Sequence, residues 1–245
     1  MRLLAILQAF FKLFGRMLPG QVSMSPAEKT YDSGVRMQRQ GRLDEAVARY
    51  TDAIRQDPKL VQAFSNRGSA YLNLGKPEMA IADLDEAIRL DPALAVAYSI
   101  RGLAHTNLAD FKTAVKDLNE AVRLNPKFAD AYSSRGFAHR AAGNLKRAIS
   151  DFDTAIRLDE KFSVAYNNRA DVFIEMGEPR KAMPDLDLAI KLDPRFAVAF
   201  ANRAFAWTLL KNDGRAARDV ETAVRLGIDR DLLEAKVVEF RARAR

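Results

Sequence analysis

From Ala27 to Arg230 apolar residues recur at spacings of three and four, as helices with one buried stripe require, and the helices they predict come in pairs. In Val61 to Leu94, VQAFSNRGSAYLNLGKPEMAIADLDEAIRLDPAL, a first helix is predicted to run up to Gly75 and a second up to Asp91-Pro92. The same stretch returns with small changes along the chain. Pro58, Pro92 and Pro126 are 34 residues apart, and Pro194 lies two further periods on. Gly41, Gly75, Gly143 and Gly177 keep that step, with Ala109 in the missing slot, and Ala46, Ala80, Ala114, Ala148, Ala182 and Ala216 keep it without a gap. Proline forces the residue before it out of the α region, so Asp91, Asn125 and Asp193 end their helices, whereas Pro77 and Pro179 suit a first turn. A fixed period of this length marks a solenoid of stacked helix pairs.

The stretch resembles the tetratricopeptide repeat. Gly68, Tyr71, Gly75, Ala80, Ala87 and Pro92 stand where that family places its small, aromatic and helix-ending residues. The resemblance implies an all-α fold, a right-handed α-solenoid of helix-turn-helix repeats, and a binding scaffold in place of an enzyme. Six units are expected at 27–60, 61–94, 95–128, 129–162, 163–196 and 197–230 within an array over 25–230. Residues 1–24 would form a separate N-terminal segment and linker, and 231–245 a C-terminal capping helix. In that cap Leu232, Leu233, Val237 and Phe240 are expected to cover the core, leaving Lys236, Arg241, Arg243 and Arg245 in water. Glu160 and Ile228 occupy proline slots, with Gly227 able to end the last unit's helix. Pro184 falls inside a second helix, where it costs about 3 kcal/mol and predicts a kink or a late start.

One correlation stands out within the array. Arg67, Arg101, Arg135, Arg169 and Arg203 form a row in the first helices, where the family more often has leucine. Asp83, Asp117, Asp151, Asp185 and Asp219 form a row in the second helices, and the first unit lacks both, carrying Ser33 and Arg49. Each Arg is therefore expected to pair with the Asp of its own unit.

Composition adds limits. The 245 residues include no cysteine, which removes disulfides, thiolate metal sites and cysteine nucleophiles. A net charge of +7 is spread among acidic residues without the clustered cations and stacking aromatics that nucleic acid requires, so no nucleic-acid partner is expected.

The amino end is different in kind. MRLLAILQAFFKLFGRMLPG holds no acidic residue, and on a helical wheel Arg2, Gln8, Lys12 and Arg16 share one side while Leu3, Leu4, Ile6, Leu7, Phe10, Phe11, Leu13, Phe14, Met17 and Leu18 cover the rest. This is the pattern of a basic interfacial helix over residues 1–18 at an anionic membrane surface. Its apolar run is too short to span a bilayer, which takes about 20 residues. A signal or anchor sequence and docking on protein remain open. The compartment follows that choice: cytoplasmic or peripheral membrane-associated, and secreted or periplasmic if 1–24 is a signal sequence. Ser25-Pro26-Ala27-Glu28 then reads as a capping box that starts the array.

Chemistry-bearing motifs are absent. No G-x-S-x-G, phosphate loop, zinc-ligand spacing or nucleophile–base pair occurs, and neither a cofactor nor a metal is expected. The two histidines, His105 and His139, share a row with Met37, Tyr71, Phe173 and Trp207, which points to packing. By resemblance, a protein or peptide partner would lie in the groove lined by first helices. The candidate residues are Ser65, Ser69, Ser99, Leu103, Thr106, Ser133, Phe137, Arg140, Asn167, Asp171 and Phe205. Chaperone-binding members hold a terminal carboxylate with lysines and asparagines in these rows, a pattern not found here. Leu103, Phe137 and Phe205 instead suit an apolar segment, unless adjacent first helices bury them. The alternative is a self-associating or self-regulated module, with the N-terminal helix in the groove or building a homodimer.

Overall fold

The computed structural model describes residues 24–243; the predicted amphipathic helix over 1–18 lies outside them. Among the described residues there are 13 α-helices and no strand. First helices are α1 (Pro26–Arg39), α3 (Val61–Asn73), α5 (Ala95–Asn107), α7 (Ala129–Ala141), α9 (Ser163–Glu175) and α11 (Ala197–Leu209). Second helices are α2 (Leu43–Gln56), α4 (Pro77–Leu90), α6 (Phe111–Leu124), α8 (Leu145–Leu158), α10 (Pro179–Leu192) and α12 (Asp213–Arg225), followed by α13 (Arg230–Arg243). The fold is an all-α solenoid, with neighbouring helix pairs packed in series.

Local chemistry sets each boundary. The Ser25 Oγ accepts from the Glu28 amide at 3.2 Å while the Ser25 amide donates to Glu28 Oε2 at 2.7 Å, closing the expected box. Every first helix from α1 to α11 ends in paired 6→1 and 5→2 bonds, such as Asn144 N to His139 O and Gly143 N to Arg140 O, both 2.8 Å. That motif needs a left-handed residue, which Gly143 supplies at φ +77° and Ala109 must adopt at φ +59°. The residues in the Asp-Pro row fold the connection to the next unit, since Asp91 Oδ1 accepts from the Ala93 amide at 2.9 Å and Asn125 Oδ1 from Lys127 at 3.1 Å.

The chain packs as two compact units, one ending at Ile100 and one beginning at Arg101. In the first, α1 to α4 pack in series around Ala46, Tyr50, Ala53, Ala70, Ala80 and Leu84, all fully buried. In the second, each helix from α6 to α12 packs on the next, and α7, α9, α11 and α13 also touch side by side as consecutive first helices. Helices approach closely at the small row. A Cβ added at Gly136 would lie 2.8 Å from Cε1 of the buried Phe152 ring.

Two expectations need revision. The proline at 184 produces no late start, because α10 begins in register at Pro179. The strain goes into the first turn instead: Lys181 N bonds Glu178 O at 2.9 Å, a 3₁₀-type closure, where α2, α4, α6, α8 and α12 close with i→i+4 bonds such as Ala148 N to Asn144 O. Pro184 offers no amide and its ring crowds the carbonyl of Arg180, so the turn before it tightens. At the other end, α13 follows the repeat phase as a further first helix. Leu233, one period after Ala199, is buried, and Val237 and Phe240 are half-buried as expected, but Leu232 is 71% exposed and covers nothing.

Candidate functional site

The side chains most firmly held are the Arg–Asp pairs. Arg67 meets Asp83, Arg101 meets Asp117, Arg135 meets Asp151, Arg169 meets Asp185 and Arg203 meets Asp219, each through Nε and Nη2 to both carboxylate oxygens at 2.6–2.9 Å. The bidentate form makes these the strong kind of charge-assisted bond. The remaining nitrogen reaches back into the preceding unit: Arg67 Nη1 to Thr51, Arg135 to Asn119, Arg169 to Asp153 and Arg203 to Asp187, at 2.6–2.9 Å. Each of these arginines also lies over an aromatic ring three residues earlier, Phe64, Tyr132, Tyr166 or Phe200, at 5.3–5.8 Å. The guanidinium thus ties three helices together through three of its five donors, which is a structural task.

His139 lies beside one of these pairs, with Nε2 3.9 Å from Asp151 Oδ2. Burial pushes its pKa below the usual histidine value despite that carboxylate, so the ring is neutral at pH 7. His105 has Nδ1 3.8 Å from Asp110 Oδ2. Among the described residues no group of three or more His, Asp or Glu side chains converges as metal ligands would.

The predicted groove residues divide by depth. Ser65, Ser99, Ser133 and Asn167 are buried and present almost no surface. In the second unit Asn167 accepts from Asn202 Nδ2 at 3.0 Å, a buried bond between α9 and α11. Thr106 is buried with its hydroxyl donating to the Gly102 carbonyl at 2.9 Å. Ser69 and Leu103 are half-buried. Phe205 is covered by Phe240 of α13, the rings stacked at 4.7 Å. Phe137 remains open, at 36% exposure the most accessible aromatic on the first-helix face of the second unit.

Arg140 and Asp171 are brought together, along with a residue the row-by-row reading did not single out. Arg140 Nη1 lies 2.5 Å from Asp171 Oδ2 and its Nε donates to Glu175 Oε2 at 2.8 Å. Burial raises the Asp171 carboxyl above the ordinary range, Arg140 pulls it back, and Glu175 adds to the rise. Glu175 stands 35 residues after Arg140, as Asn202 does after Asn167 and Asn66 after Tyr31. Side chains on adjacent first helices therefore meet at the period plus one, a signal that same-row comparison passes over. Val164 and Val198, at one position of α9 and α11, add exposed apolar surface on that side.

Tetratricopeptide repeat profiles match residues 61–94, 101–161 and 163–196, and a TPR repeat profile matches 39–75. The chain belongs to the tetratricopeptide repeat family. No curated protein matches this tetratricopeptide repeat chain in sequence. Among solved structures it is similar to a tetratricopeptide repeat protein from Parabacteroides merdae, at 23% identity and TM-score 0.73, over 96% of this chain and 90% of that one. It is also similar to MamA, at 26% identity and TM-score 0.53, over 70% of this chain and 93% of that one. A third is YrrB, a TPR protein with an unusual peptide-binding site, at 21% identity and TM-score 0.52, over 76% of this chain and 96% of that one. As a tetratricopeptide repeat protein this chain is a protein-interaction scaffold.

Proposed function

We propose that the scaffold binds an apolar peptide or helical segment of a protein partner on the first-helix face, without catalysis. The observation that carries this reading is Phe137, an aromatic left open on α7, one period after the half-buried Leu103 of α5 in the same row. An exposed ring gains by covering. The Arg140–Asp171–Glu175 cluster borders it and supplies a polar rim that fixes the register of a bound chain. Ser69 belongs to the same row in the first unit. Ser65, Ser99, Ser133 and Asn167 act by keeping first helices close. The likeness to YrrB supports the fold on which such a face is built. Residues 1–18 would tether the scaffold to an anionic membrane surface, and among the described residues no helix is long and apolar enough to cross one.

The test is selection of a displayed random-peptide library on the full chain, followed by affinity measurement with the enriched peptides. Phe137→Glu is expected to weaken them at least tenfold, whereas Met79→Glu, on exposed surface of α4, leaves them unchanged. Enriched peptides that bind both variants as they bind the parent would place recognition elsewhere.

A further inference from the structure

Helix α13 stands where a first helix stands and packs on α11 and α12, yet among the described residues it has no second helix of its own unit. Val238 shows the consequence. It falls in the row of Gly34, Gly68, Gly102, Gly136, Ala170 and Ala204, kept small because a second helix crosses there. In α13 the row carries a valine that is 62% exposed. Beside it, α12 and α13 enclose an open groove of about 270 Å³ lined by Ala217, Val220, Val237 and Val238, with Glu234 and Arg241 on its edge.

The exposed face of α13 has its own order. Asp231, Ala235, Val238 and Ala242 follow one another at spacings of four, three and four, the spacing of a coiled-coil seam over less than two heptads, with Asp231 as its polar end. Alanine at two of these positions permits close approach. Glu234 and Arg241 flank the seam on one side, Leu232 and Glu239 on the other, and all four are exposed. In an antiparallel pair, residues of one flank face the same flank of the partner, so Glu234 meets Arg241 twice across a two-fold axis near Val238. A parallel pair would set Glu234 against Glu239. The charges present to meet a partner are already balanced within the chain: Arg230 bonds Glu221 and Glu234 at 2.7–3.1 Å, Arg241 bonds Asp213 at 2.7 Å and Lys236 bonds Glu239 at 2.8 Å. Exposed pairs of this kind are worth little and exchange readily.

We propose that α13 is a self-association element, pairing antiparallel with α13 of a second copy through Ala235, Val238 and Ala242, with orientation set by Glu234 and Arg241. The seam is short, so the dimer is of the transient class. The proposal does not depend on what the first-helix face binds.

Sedimentation velocity of the full chain over a range of concentrations tests it. The mass is expected to rise from the 27.4 kDa monomer toward twice that value. Val238→Asp should weaken association at least tenfold with helicity unchanged. Glu234→Arg and Arg241→Glu should each weaken it several-fold, and the double reversal should restore it. Because the chain has no cysteine, Val238→Cys gives an independent readout: mild oxidation yields a covalent dimer, while Met79→Cys does not. A monomer at every concentration, association indifferent to Val238→Asp, or a double reversal as weak as the single ones would each overturn the proposal.

Discussion

At the residue scale the telling feature is a buried charge in a row where the family more often has leucine. Arg135 and Asp151 are joined by two bonds of 2.7 and 2.9 Å, with side chains only 19% and 9% exposed. Desolvation of both groups consumes most of their mutual attraction, so the pair adds less to stability than its geometry suggests. Breaking it is another matter, because a lone buried aspartate has no compensation. Arg135→Leu should therefore cost about 3–5 kcal/mol in urea unfolding. Adding Asp151→Leu should recover part of that loss, with a coupling of about 0.5–3 kcal/mol. Strictly additive losses would show that the two side chains act independently. The pairing itself was legible in the sequence, since Arg and Asp appear together and are missing together from the first unit. The third contact, to Asn119, was not, because the row that holds Thr51, Asn119, Asp153 and Asp187 varies in chemistry from unit to unit.

At the scale of elements, helix ends were easier to read than helix interiors. Gly, Pro and Asp act through backbone geometry, so their periodic positions fixed where each helix begins and stops. Pro184 was harder, because its cost can be met by a kink, a delayed start or a tighter turn, and neighbouring packing chooses among them. Here Asp185 still meets Arg169 and Leu186 still fills the core, which holds α10 in register while its first turn closes differently from those of the other second helices. Pro184→Ala should restore the i→i+4 closure seen in the other second helices and raise stability by up to about 3 kcal/mol. An upward shift of the urea midpoint and slower hydrogen exchange at the Ala182 amide would report both effects. An unchanged midpoint would mean that the tightened turn carries no strain.

At the scale of the whole molecule the fold was legible because one period governs the chain, whereas the contacts on the proposed binding face were legible only in part. Row-by-row reading finds residues in equivalent places but not residues in contact, which on adjacent first helices lie one position further on, as Phe205 and Phe240 do. That offset is why the sequence left Phe205 undecided between an open and a covered position, and Phe240 covers it in the structure. The amino end is outside the period, and its role rests on its own composition. Arg2, Lys12 and Arg16, with no acid among residues 1–23, would on a helix give a basic edge to a wide apolar surface. Each cation near an anionic bilayer contributes about 1 kcal/mol, and the apolar side chains add burial at the headgroup boundary. The full chain is therefore expected to float with phosphatidylserine-containing vesicles, while a chain beginning at Met24 stays in the soluble fraction. Flotation should weaken as salt rises, because screening shortens the reach of the cations to about 10 Å at 0.1 M. If the shortened chain floats equally, the repeats themselves hold the membrane site. If neither floats, the apolar segment does not meet lipid, and a tether is the wrong account of residues 1–18.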